Sequence, residues 1–158
     1  SLIQRFDSRE AFLAGARTIE VPPDGLMLAQ EYVQPVQGYI NRVEILGGKV
    51  LYALKVYPSE DFNLCPADAC AVETPTGASQ AQFFLNDTLE PHIAASILHL
   101  FRSLQLDYGS IEFLHGADGG AYFYDLNLNS NYRTTLPGVA AFDPWGQLAD
   151  YLADQLAT

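Results

Sequence analysis

Tyr108-Gly109-Ser110-Ile111-Glu112-Phe113-Leu114-His115, then Ala121-Tyr122-Phe123-Tyr124-Asp125-Leu126-Asn127-Leu128 beyond an Asp118-Gly119 pair, is the stretch that decides how this chain folds. An Asp-Gly pair between two runs rich in aromatic and aliphatic residues signals a hairpin. A two-residue turn there sets Glu112 opposite Asp125 and Ser110 opposite Asn127. Side chains alternate along a strand, so Ser110, Glu112, Asp125, Asn127 and Asn129 share one face. Ile111, Phe113, His115, Tyr122, Tyr124, Leu126 and Leu128 fall on the other, the core side. Opposed residues have Cβ atoms ~5 Å apart, and like charges so placed repel. A hard cation such as Mg²⁺, which takes carboxylate and amide oxygens, is the natural compensator. The alternative is a solvated face with each carboxylate turned to water. The cation reading depends on the turn being two residues long, because a one-residue slip moves the partners.

Upstream, Tyr39 to Leu46 and Lys49 to Tyr57 flank Gly47-Gly48, a second hairpin whose glycines accept the positive φ of a primed turn. With a two-residue turn, Arg42 faces Ala53 and Ile40 faces Lys55. Arg42 and Lys55 then become diagonal neighbours, with Glu44 on the same face and Val43, Ile45, Val50, Tyr52 and Leu54 on the other. Two cations this close need an acid or an anion between them. Glu44 is one answer, and a polyphosphate, gripped by an arginine fork and a lysine point charge, is the other.

Helical spacing predicts a helix over Pro91 to Leu106, through Ile93, Ile97, Leu100, Phe101 and Leu104, with proline in its first turn. Asp143 caps a closing helix from Pro144 to Ala157, and Asp7 with Glu10 three residues on predicts one over Ser8 to Arg17. Leu26 to Val33 reads as a strand. Residues 58–88 form a long excursion with Cys65 and Cys70, read as free thiols, and a short strand near Ala81 to Leu85. Hairpins rather than crossovers join the strands. The fold class is therefore α+β, a mostly antiparallel sheet with flanking helices, lying on one side.

The 158 residues suit one domain with a real core. Hydrophobic residues make up 49% and charged residues 17%, which excludes disorder for most of the chain. The 19 acids against 8 scattered bases, a formal charge of −11, disfavour nucleic-acid partners. No apolar run reaches membrane-spanning length and no signal peptide opens the chain, so a cytoplasmic protein is expected. No P-loop or Gly-rich dinucleotide fingerprint is present. His92 and His99 read as surface residues, Trp145 as a packing anchor, and Asn86-Asp87-Thr88 as a sequon without meaning unless the chain is secreted.

The ordered set Leu28-Ala29-Gln30-Glu31-Tyr32-Val33, Asn41-Arg42-Val43 with its Gly-Gly hairpin, Leu104 to Phe113, and Tyr122 to Asn127 resembles the C-terminal part of an ATP-grasp domain. That family includes D-alanine–D-alanine ligase, glutathione synthetase, biotin carboxylase and peptide-tailoring carboxylate–amine ligases. The resemblance implies ATP as co-substrate and Mg²⁺ (or Mn²⁺) held by Glu112, Asp125 and Asn127, with Asp125 where the family more often has a bridging Glu. It implies an adenine-bordering hinge at Glu31, Tyr32 and Val33, and a ribose contact at Gln37 or Gln34. Arg42 matches the arginine that contacts phosphate or the acyl phosphate, the one catalytic assignment. Lys55 and Asn63 become phosphate or substrate contacts, and Asn129, Asn131 and Arg133 acceptor-substrate contacts.

By the same resemblance, residues 1–158 form the second lobe of the domain, because residues 1–25 hold no lysine and no glycine cluster for the first lobe's phosphate contacts. The expected partners are ATP, small carboxylate and amine (or thiol) substrates and that missing lobe, with a homodimer left open. The implied reaction is ligation through an acyl phosphate, and the isolated chain is expected to be inactive. The alternative is a non-catalytic nucleotide- or divalent-metal-binding module that keeps the shape.

Overall fold

The computed structural model describes residues 4–57, 82–136 and 142–157. In chain order the elements are α1 (Arg9–Gly15) with a 3-10 turn behind it, β1 (Ile40–Leu46), β2 (Lys49–Tyr57), β3 (Gln82–Leu85), α2 (Pro91–Ser103), β4 (Tyr108–His115), β5 (Ala121–Asn127) and α3 (Pro144–Leu156). The five strands form one sheet in the order β3-β2-β1-β4-β5, and every pairing is antiparallel. This is the α+β class expected. Among the described residues no helix is long and apolar enough to cross a membrane.

The sheet is buried on both faces. On one, Ile93, Ile97 and Phe101 of α2 pack on Val43, Ile45, Ala53, Ile111 and Phe113. On the other, Ile40, Tyr52, Leu54, Val56, Phe83 and Leu114 meet Tyr132 and Leu136, with Phe142 and Leu148 against them. Trp145 anchors the start of α3 on this second face, its ring 5.0 Å from that of Tyr132. The expectation that the helices lie on one side is therefore corrected. Leu148 carries α3 to the face opposite α2, because hydrophobic residues on both sides of the central strands each need cover.

Both hairpins contain a bulge, with opposite effects on what the sequence led us to expect. In the first, Leu46 pairs with Lys49 across Gly47 (φ 57°) and Gly48 (φ 72°), the predicted primed turn. Glu44 then pairs with Tyr52, which makes Leu51 an extra residue. Beyond it Arg42 pairs with Leu54 and Asn41 with Lys55, so the expected Arg42–Ala53 and Ile40–Lys55 pairs do not form. Arg42 and Lys55 consequently sit on opposite faces, and Tyr52 and Leu54 leave the face of Val43 and Ile45. The bulge lets β2 feed Val50 and Ala53 to one core and Leu51, Tyr52 and Leu54 to the other.

In the second hairpin the turn is longer than two residues. Gly116 N donates to Gly120 O at 3.0 Å, leaving Ala117, Asp118 and Gly119 as the loop. That moves His115, Leu114 and Phe113 opposite Ala121, Tyr122 and Phe123. Tyr124 is then the extra residue of a bulge, and from Glu112 onward the register returns to the one expected: Glu112 opposite Asp125, Ser110 opposite Asn127. A turn one residue longer and a strand one residue longer cancel. Tyr122 and Tyr124, expected on the core side, lie with Leu114 and Glu112 on the other face.

Three further expectations change. Leu26 to Val33 is not a strand: Leu28 is 96% exposed, and this run has no partner strand among the described residues. Val33 packs against the second core, and just beyond the run Val36 N donates to His115 O at 2.9 Å, tying the chain to the hairpin end. The cap of α1 is Ser8, whose Oγ accepts from Ala11 N at 3.0 Å, while Asp7 is paired with Arg5. α2 ends at Ser103, where Gln105 takes a left-handed φ of 56° and Leu106 N donates to Phe101 O. That αL cap aims the chain into β4.

Candidate functional site

β1 and β4 are neighbours at the centre of the sheet, with Arg42 opposite Glu112 and Glu44 opposite Ser110. Period-two alternation therefore puts four polar side chains in one patch of the face away from α2. β5 adds Asp125 and Asn127 beside Glu112 and Ser110, and the chain after β5 folds Ser130 back over the patch. The register thus brings together Glu112, Asp125, Asn127 and Arg42.

Arg42 is the hub. Its Nε donates to Oε1 of Glu44 at 2.8 Å, its Nη1 to Oε1 of Glu112 at 3.3 Å and its Nη2 to Ser130 Oγ at 3.2 Å. Burial disfavours the cation, but Glu44 and then Glu112 outweigh it and hold the guanidinium above its ordinary pKa. Ser130 Oγ in turn donates to Oε2 of Glu44. The serine is fixed through its backbone: its N donates to the Tyr108 hydroxyl at 3.1 Å, which donates to its O at 2.9 Å.

Glu44 and Glu112 are both buried, at 0% and 3% exposure. Burial pushes Glu112 up to about 7; Arg42 opposes the shift, neighbouring Asp125 adds to it, and the Tyr124 hydroxyl, 3.0 Å from Oε2, pulls it down. Asp125 is exposed and accepts from the Asn127 amide at 2.7 Å. Ser110 Oγ is buried inside the polar patch without a hydrogen-bond partner among the described residues. One guanidinium thus faces two buried carboxylates with a third beside them, which leaves negative charge to neutralise.

That arrangement fits a hard divalent cation. The donors are carboxylate and amide oxygens, and the excess charge is of the right sign. Among the described residues no group of three or more His, Cys, Asp or Glu is placed to hold a metal. The set is instead two carboxylates and an amide, which suits Mg²⁺, an ion that keeps waters and phosphate oxygens in its remaining positions.

The other candidates are dispersed. Asn129 and Asn131 are exposed on either side of Ser130, near the patch in sequence. Arg133 lies on the same side of the sheet, stacked 3.2 Å over the Phe83 ring, and its N donates to the Tyr52 hydroxyl at 3.0 Å. Lys55 is on the opposite side, donating to Thr88 Oγ1 at 3.3 Å. Glu31, Tyr32 and Gln37 are exposed and Val33 is half-buried against the second core. Asn63, Cys65 and Cys70 lie outside the described residues. Asn86 of the sequon is buried, with its amide donating to Asn41 Oδ1 at 2.9 Å, so it serves the fold. Sequence reasoning missed Ser130, Tyr108 and Tyr124 in the site. The first comes from a loop without a period, and the last reaches the patch only through the bulge.

No protein-family model matches the sequence, and no curated protein does. Solved structures do. The ligase PsnB, in complex with its minimal precursor, superposes with a TM-score of 0.57 over 80% of this chain and 37% of PsnB, at 21% identity. This is an ATP-grasp fold. PsnB with minimal precursor, Mg and ADP matches the same 80% with a TM-score of 0.56. The macrocyclase MdnC, bound with precursor peptide MdnA from Microcystis aeruginosa MRC, gives 0.51 over 75% of this chain and 34% of its own, at 18% identity. The five-stranded antiparallel sheet and its helices match the C-terminal subdomain of the ATP-grasp fold. The chain spans little more than a third of the length of these ligases.

Proposed function

We propose that this chain is the Mg·ATP-binding second lobe of an ATP-dependent carboxylate–amine (or thiol) ligase that works through an acyl phosphate. The observation that carries the reading is the Glu112–Asp125 pair with Asn127, set beside Arg42 on one face of an ATP-grasp sheet. Residues 1–158 are read as one lobe, completed by a first lobe that supplies further phosphate contacts and closes over the nucleotide.

In this reading Glu112, Asp125 and Asn127 hold Mg²⁺, which would neutralise phosphate charge and orient the γ-phosphoryl group. Arg42 presents a fixed positive charge where the transferred phosphoryl and the acyl phosphate develop negative charge. Such preorganised charge stabilises a transition state without reorganisation at the moment of reaction. Burial of the patch lowers the local dielectric and strengthens that effect. Asn129, Asn131 and Arg133 would receive the acceptor, with Arg133 suited to a carboxylate. Because PsnB and MdnC were solved with precursor peptides, a peptide-borne carboxylate or amine is the substrate class to try first. Glu31, Tyr32 and Val33 would border adenine, and Gln37 the ribose, with Glu31, Tyr32 and Gln37 exposed and open to a ligand.

The test is calorimetric titration of the chain with ADP, with and without Mg²⁺. Magnesium-dependent binding that is lost in both Glu112→Gln and Asp125→Asn supports the reading. Binding indifferent to both substitutions would sink it.

A further inference from the structure

The three contacts of Arg42 are unequal. The Nε–Glu44 contact is the short one, at 2.8 Å, and the Nη1–Glu112 contact is the long one, at 3.3 Å. Glu44 is completely buried in the middle of β1, with β2 on one side and β4 on the other. Its second oxygen is engaged by Ser130, which Tyr108 pins through both its N and its O. Glu112 has no comparable scaffold. Among the described residues it holds, besides Arg42, only the Tyr124 hydroxyl, a side chain on the edge strand.

A guanidinium carries donors along two edges, and a carboxylate on the Nε edge fixes its plane. We infer that Glu44 is the positioning residue of Arg42. Together with Ser130 it holds the guanidinium by Nε and Nη2, so that Glu112 can pass to a divalent cation while the arginine stays in place. Charge counting points the same way. With Glu112 drawn to a cation, Glu44 alone neutralises Arg42, and no buried charge is left unpaired. Glu44 touches neither metal nor nucleotide in this scheme; it acts through Arg42. The passing of Glu112 to a cation rests on the proposed metal site, whereas the positioning of Arg42 does not.

The experiment is nitrogen-15 NMR of the Arg42 Nε–Hε group in the chain itself, read for solvent exchange. The expected result is a protected Hε in the wild type that stays protected in Glu112→Gln and on adding Mg²⁺. In Glu44→Gln it should exchange at least tenfold faster, while backbone amides of β1 keep their protection. Should Glu44→Gln fail to fold, Ser130→Ala replaces it, with an expected severalfold faster exchange. Protection that survives loss of the Glu44 charge, or of the Ser130 hydroxyl where that replaces it, overturns the inference, as does equal loss in Glu112→Gln. Mg²⁺ should also shift the Glu112 carboxyl carbon of the wild type. If it does not, the metal reading falls and the hand-over with it, while the exchange rates still decide the positioning.

Discussion

The Tyr124 hydroxyl donates to Oε2 of Glu112 at 3.0 Å, across a β4–β5 register in which Tyr124 has no partner of its own. As the extra residue of a bulge it turns to the same side as Asp125, and so a buried carboxylate gains a donor from the edge strand. Burial and the charge of Glu112 together hold the tyrosine proton well above its ordinary pKa. Tyr124 therefore remains a donor at any working pH.

Tyr124→Phe removes that donor from a buried, charged acceptor. A hydrogen bond to a charged group is worth about 1.5–3 kcal/mol. The loss in urea unfolding should reach this size at pH 8 and shrink toward pH 5, where Glu112 is protonated. Equal losses at both pH values would contradict the contact's assigned role.

Glu112 itself should make stability depend on pH. Its folded pKa of about 7 lies above the ordinary 4.5, so the folded chain binds the extra proton. Stability from this group is fully present below pH 4.5, falls as pH rises toward 7, and stays lost above it. The span is about 3 kcal/mol by linkage, as an order of magnitude. Glu112→Gln should flatten that part of the curve, measured without metal. Metal affinity should move oppositely and rise through pH 7, because the proton must leave.

Gly109 is at φ 149°, and a Cβ there would stand 2.5 Å from the backbone O of Asn127. Backbone cannot step aside as a side chain can. Gly109→Ala should cost about 2–4 kcal/mol as a buried steric conflict with strained backbone. It should also weaken Mg²⁺ binding, because the strand that yields carries Asp125 and Asn127. Unchanged thermal stability would refute the close approach.

Gln105 occupies a left-handed φ of 56° at the end of α2, a conformation glycine adopts without penalty. Gln105→Gly should stabilise the chain by about 1 kcal/mol, less any entropy glycine returns to the unfolded state. Chemical denaturation decides it, and a destabilised variant would mean that the Gln105 side chain contributes more than its backbone costs.

Lys55 lies on the α2 side of the sheet, bonded to Thr88 and 5.6 Å from the Tyr39 ring centroid. Lys55→Ala should leave Mg·ADP affinity within about twofold, while Arg42→Ala abolishes detectable binding. A Lys55 variant that binds tenfold more weakly would return this residue to the phosphate site.

The strands of both hairpins, α2 and α3 were legible because each rests on local chemistry. Paired glycines make a turn, Pro91 and the Ile93-Ile97-Phe101 stripe make a helix, and Asp143 makes a cap that accepts from Gly146 N. Leu26 to Val33 misled for the opposite reason. Its composition suits a strand, but a strand exists only where another backbone accepts its hydrogen bonds, and here none of the described strands does. The Glu112–Asp125 pairing was anticipated through a two-residue turn that is really three residues long, with the bulge at Tyr124 supplying the difference. In the first hairpin the bulge at Leu51 had no such counterweight, so Arg42 and Lys55 parted.

The sequence by itself determined the hairpins, the helices with their apolar stripes, and the order in which acids, amides and Arg42 arrive along the chain. Those follow from turn chemistry and periodicity, which act over a few residues. The tertiary structure alone decided that Arg42 stands between Glu44 and Glu112, with Ser130 closing over it. That grouping depends on the register of β1 against β4, two strands far apart in the chain that pair without a bulge, and that register answers the demand that both sheet faces be covered. Packing against α2 on one side and against Tyr132 and Leu136 on the other sets that demand, and no local run of residues encodes it.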